Sequence, residues 1–89
     1  MNTNTQEILQ FPCTFPIKIM GNNNDDFVNA IINAVKPYLP NIKEEQITTK
    51  QSAKGNYLAA TLTFHATSKE QLDNIYRALT SCEYVKVVL

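Results

Sequence analysis

The sequence has no tryptophan, one histidine, two cysteines and two glycines, and its charges cancel, with eight basic side chains against eight acidic ones. Each shortage excludes something. Cys13 and Cys82 lie too far apart in the chain for a zinc ribbon, a CxxC redox pair or a disulfide framework. A chain without basic excess lacks the field that DNA or RNA phosphates select, so nucleic acid is not the expected partner. The longest apolar run is Tyr57 to Ala60 and the first basic side chain is Lys18. Neither a membrane-spanning helix nor a secretory signal is therefore expected. The expected location is the cytoplasm, where both cysteines remain free thiols.

With 89 residues, 44% of them apolar, there is material for a single core. A chain of this length buries about 60 to 65% of its unfolded surface, which leaves little for a deep, separately walled active site. The expectation is one domain over residues 11–89 behind a flexible tail at 1–10, non-enzymatic and without a metal or cofactor.

The apolar pattern supplies the elements. Phe15, Ile17 and Ile19 alternate with Pro16, Lys18 and Met20, the period of a strand with one buried face. Gly21 and Asn22 to Asn24 end that alternation. Asn24 then reads as a helix N-cap with Asp25 and Asp26 in the first turn, before a helical stripe of Phe27, Ile31, Ala34 and Val35. Pro37 closes this helix and is expected to push Lys36 out of helical conformation.

A polar edge strand is expected over Gln46 to Lys54. A two-residue Gly55-Asn56 hairpin joins it to a strand over Tyr57 to Ala66. There Leu58, Ala60, Leu62, Phe64 and Ala66 form the core phase, with Tyr57, Ala59, Thr61, Thr63 and His65 opposite. Thr67 and Glu70 have capping-box spacing before a helical stripe of Leu72, Ile75, Tyr76 and Leu79. A last strand alternates Val85, Val87 and Leu89 with Tyr84, Lys86 and Val88, and the latter phase is taken as the outer one. The order βαββαβ closes most simply as a ferredoxin-like α+β sandwich. It has a four-stranded antiparallel sheet of order 4-1-3-2 and two helices on one face.

Phe11-Pro12, Lys18 to Gly21, Ser52, Lys54 to Tyr57, Ala66-Thr67, Glu70-Gln71, Ile75-Tyr76 and Val88-Leu89 together resemble the YbeD-like family of small uncharacterised bacterial proteins. The resemblance runs from about Leu9 to Leu89. It implies an ACT-like fold, in which such units pair and bind small molecules at their joints, and a genomic neighbourhood that in some bacteria includes lipoate attachment. It implies no catalytic residue. Asn22 to Asp26 and the Pro40 to Gln46 connection depart from the family pattern.

Single motifs carry little chemistry. Lys54-Gly55-Asn56-Tyr57 lacks the aromatic residues that an RNA-recognition signature places for stacking, since Asn56 and Leu58 occupy those positions. Lys50, Lys54 and Lys69 form an acid-free stretch that two edge-strand lysines largely explain. His65 has no obvious carboxylate to orient it as a base. The expected working surface is the uncovered sheet face. Its candidate interface residues are Lys18, Met20, Tyr57, Thr61, Thr63, His65, Tyr84 and Val88, while Met20, Gly21, Asn24 and Asp25, at the start of the first helix, are the place where the ACT resemblance implies a ligand. The expected partners are a small-molecule effector, a second copy of the chain in a homodimer, or another protein. An RNA-binding module is the alternative, and a small enzyme stands behind both.

Overall fold

The structure is a computed structural model that describes residues 10–89. Except for Gln10, the expected N-terminal tail lies outside the described residues. The elements run β1 (Cys13–Asn22), α1 (Phe27–Val35), a 3-10 turn (Glu44–Gln46), β2 (Ile47–Gln51), β3 (Tyr57–Ala66), α2 (Lys69–Thr80) and β4 (Val85–Val88). The sheet is antiparallel throughout, in the order β2-β3-β1-β4, which is the expected ferredoxin-like arrangement.

One phase of each strand meets the helices. Ile17 and Ile19 of β1, Ile47 of β2, and Ala60, Leu62, Phe64 and Ala66 of β3 join Phe27, Ile31 and Val35 of α1 and Leu72, Ile75 and Leu79 of α2 in one buried cluster. Both helices therefore cover the same side of the sheet. Burying an aliphatic or aromatic side chain of this size contributes about 1.5 to 3 kcal/mol, so this cluster is the main source of stability. The Phe15 and Phe64 rings meet edge to face at 6.2 Å, closing one end of it.

β1 does not end where Gly21 interrupts the apolar pattern. It runs on to Asn22, which pairs with Tyr57, and Gly21 is itself buried. Gly21 belongs in the strand because a β-carbon there would collide with the Tyr84 carbonyl oxygen and stand 2.6 Å from Phe27 Cε1. The missing side chain is what lets α1 and β4 approach.

The helix starts also differ from expectation. The N-cap of α1 is Asp26, not Asn24, and the first turn holds no acid. Asn24 caps the preceding turn instead, with its Oδ1 accepting from the Asp26 amide at 2.8 Å. For α2 the N-cap is Ser68, whose Oγ accepts from the Gln71 amide at 3.1 Å. Gln71 Oε1 in turn accepts from the Thr67 amide at 2.7 Å, so Gln71 takes the part expected of Glu70. Lys36 stays helical and donates its amide to the Ile32 carbonyl at 2.9 Å. Proline at position 37 lacks only its own amide, which leaves the preceding turn intact here.

The hairpin is present, with a longer loop than expected, because β2 ends at Gln51. The Gly55 amide donates to the Ser52 carbonyl at 2.9 Å and the Ser52 amide to the Tyr57 carbonyl at 3.0 Å. Gly55 has φ +76°, the left-handed conformation that a side chain would strain.

Candidate functional site

The helix-free side of the sheet is the candidate site, and the strand registers give its layout. Opposed residues share a face, so two rows cross all four strands. The first runs Thr48, Thr61, Lys18 and Leu89, closed by the reciprocal backbone bonds between Lys18 and Leu89. The second runs Lys50, Ala59, Met20 and Val87. Thr63 opposite Pro16 and His65 opposite Thr14 extend the face at one end, and Tyr57 opposite Asn22 extends it at the other.

Apolar groups gather at the β1–β4 side. Met20 is 37% exposed, Val87 45% and Leu89 65%, while Tyr57 is 51% exposed at the hairpin end. Thr61 and Thr63 lie between them and His65 on the open phase of β3. The expected β3 residues are therefore all on this face, as are Met20 and Lys18.

β4 reverses the expectation. Val88 opposes buried Ile19, and both Val88 and Tyr84 pack against the core, whereas Val87 and Leu89 turn outward. The cause is a register shift. Met20 pairs with Val87 and Gly21 with Val85, so Lys86 is an extra residue on β4. A bulge of this kind breaks the period of two and brings Val85 to the core side along with Val88. Val87 and Leu89 are the residues that pattern reading missed. Lys86 shares the phase of Val88 and marks that phase as the outer one, so the local signal pointed the wrong way.

The expected ligand positions do not converge on one point. Gly21 lies on the helix side of β1, and Asn24 and Asp25 lie in the β1–α1 loop. Asn24 has already spent its carbonyl oxygen on the turn. His65 sits at the opposite end of β3 from Tyr57, about 27 Å away for eight residues of extended chain. Asp25 and Asp26 follow Asn22, which pairs with Tyr57, so they and the histidine belong to opposite ends of the sheet and share no acid–base step.

The loop at the Tyr57 end is locked. The Asn23 amide donates to the Asn56 carbonyl at 3.0 Å, and its Nδ2 to the Gly55 carbonyl at 2.7 Å. Beside this clasp a shallow recess of ≈ 320 Å³ opens between Met20, Lys50, Ser52, Tyr57 and Ala59. A second, of ≈ 240 Å³, lies near the β2 edge between Tyr38, Pro40, Ile42, Gln46, His65 and Gln71. Ligand pockets commonly measure about 300 to 1,000 Å³, which puts the first at the bottom of that range and the second below it.

The electrostatics of the sheet are one-sided. Its strands carry Lys18, Lys50, Lys86 and His65 and neither an aspartate nor a glutamate. The acids of the described residues sit in the loops, the 3-10 turn and α2, where Asp73 pairs with Lys69 at 3.0 Å. The group with a displaced titration, Tyr76, belongs to α2, and burial raises its pKa above the ordinary 10.0. Both cysteines are free and half-buried. Among the described residues no helix is long and apolar enough to cross a membrane, and no three metal-ligating side chains converge.

Comparison with known proteins places the chain in company. The family described as Protein of unknown function (DUF493) matches residues 6–89. The UPF0250 protein NMA1380 of Neisseria meningitidis serogroup A is 49% identical over 86 residues, covering 97% of this chain and 94% of that protein. The UPF0250 protein of Chromobacterium violaceum is 44% identical over 89 residues, covering all of both. The solution structure of protein HP0495 from H. pylori superposes with a TM-score of 0.77 at 12% identity, covering 100% of this chain and 94% of that one. That last likeness is one of fold alone.

Proposed function

Because the chain belongs to the DUF493/UPF0250 family of small bacterial proteins, the YbeD-like group that its motifs resemble, we propose that it is a non-enzymatic adaptor or regulatory module. It acts by covering its open sheet face with another protein surface. The carrying observation is the cluster of Met20, Val87 and Leu89, exposed side by side on a sheet face that the helices leave bare. Isolated exposed aliphatic residues are ordinary, but a contiguous group on an uncovered sheet marks an interaction surface. The partner is a second copy or a different chain, and the proposed compartment is the cytoplasm.

A photo-crosslinking residue introduced at Thr61 should give covalent protein adducts in growing cells. The same residue at Asn29, exposed on α1, should give far fewer. A copy of the chain in the Thr61 adduct identifies self-pairing, and a foreign chain identifies an adaptor. Equal yields from the two positions overturn the reading.

The recess beside Tyr57 supports a second, narrower role, the binding of a small metabolite at the rim of the interface. A thermal-shift screen with amino acids, nucleotides and lipoyl compounds tests it, since a ligand at 100 times its Kd stabilises by about 2.7 kcal/mol. No shift with any of them removes the effector.

A further inference from the structure

We infer that the partner of the open face is an acidic protein segment with aliphatic anchors, rather than a second copy of this chain. The inference rests on the reading of that face as a protein-binding surface and specifies its occupant. In a chain with equal numbers of acids and bases, the acids of the described residues all lie off the strands. Lys18 and Lys50 both stand exposed on the open phase. They flank the Met20–Val87–Leu89 cluster in a fixed pattern. Lys18 is beside Leu89 and two residues from Met20, and Lys50 ends the row through Ala59, Met20 and Val87. At about 4.8 Å per strand and 6.8 Å per pair of residues, the two lysine Cα atoms stand about 12 Å apart. A surface of this form steers and selects an oppositely charged partner, and its apolar centre supplies the contact that holds it.

Self-pairing meets an obstacle at Lys18. It lies on β1, one of the two central strands, in the row next to Met20. A two-fold axis through the middle of this face places Lys18 against its own image, and like charges facing each other across an interface are destabilising. The acidic side chains of the described residues stand in loops, the 3-10 turn and α2, and none is on a strand of the face. Single-stranded RNA is a poorer fit, because such sites stack successive bases on several aromatic platforms. Among the strand residues of this face only Tyr57 is aromatic, and it stands at one end.

The test is selection of peptides from a random displayed dodecapeptide library on the full-length protein, with the site read from backbone amide shifts at Met20, Thr61 and Val87. The expected peptides combine an excess of Asp and Glu with Leu, Ile or Phe. Their affinity falls tenfold or more for the Lys18→Glu/Lys50→Glu variant, and weakens as salt is raised. Both lysines are exposed, so the variant retains the fold, which circular dichroism checks.

Neutral or basic peptides that shift the same amides overturn the acidic assignment and leave the protein-binding reading standing. So does a wild-type dimer formed through this face in sedimentation equilibrium. Oligouridylate or phosphatidylglycerol vesicles that move those amides while acidic peptides do not overturn both. Amides that respond to none of these probes, with a monomer in sedimentation, also remove both.

Discussion

Gly21 lies directly beneath the carbonyl of Tyr84, with the ring of Phe27 on its other side, so that the space a methyl group would need is already filled. Three elements meet at this one hydrogen: the central strand, the start of α1 and the approach to β4.

Gly21→Ala should therefore be among the most damaging single-methyl additions in the chain. Backbone cannot give way as a flexible side chain can, which puts the loss at about 3 kcal/mol, the upper part of the overpacking range. A fall in the denaturant midpoint of that size checks it, and an unchanged midpoint refutes the close approach.

Gly55→Ala provides the contrast. There a β-carbon has room, with its nearest neighbour the Gln51 Oε1 at 3.8 Å, and the penalty comes from φ +76° alone. The expected loss is about 1 to 2 kcal/mol, and Gly55→Asn should recover part of it, because asparagine tolerates the left-handed region.

Gln71→Ala should cost about 1 to 2 kcal/mol, since the side chain accepts from the Thr67 amide and hydroxyl and donates to the Tyr38 carbonyl at 3.1 Å. Glu70→Ala should change stability by less than about 0.5 kcal/mol. Equal effects from the two would restore the capping box expected from sequence.

Alkaline titration should weaken the fold through Tyr76. Its native pKa is raised by burial, so the unfolded chain releases the phenolic proton first. The contribution is intact below pH 10.0 and is lost as the pH climbs through the native pKa. Tyr76→Phe should flatten the decline in thermal midpoint above that pH, and an identical decline in the variant assigns it elsewhere.

Much of this architecture was legible because β1 and β3 each have one strictly apolar phase. Ile17, Ile19, Ala60, Leu62 and Phe64 identify the core side without ambiguity. β4 was legible as a strand but not in its orientation, because a bulge has no signature in five residues of which four are apolar. Helix starts erred by one or two positions for a common reason. Asn24 and Thr67 are both good caps, yet Asn24 serves the turn before α1 and Thr67 stands one residue ahead of the Ser68 cap, donating to Gln71, because which residue caps depends on backbone angles that composition does not encode. The face itself was foreseen through β3, and its apolar centre was displaced onto the wrong residues of β4.

β1 also sits between two partners made at very different times. β3 follows it after some forty residues, but residues 85–88 on its other edge are the last of the sheet to be synthesised. Until they emerge from the ribosome, the central strand presents an unpaired row of backbone groups along Ile19 to Gly21, beside the cavity that Gly21 keeps for the Tyr84 carbonyl. The growing chain can build its helices and hairpin before β4 is made, yet it cannot close its sheet until residues 85–88 arrive, so completion of this fold waits on its last strand.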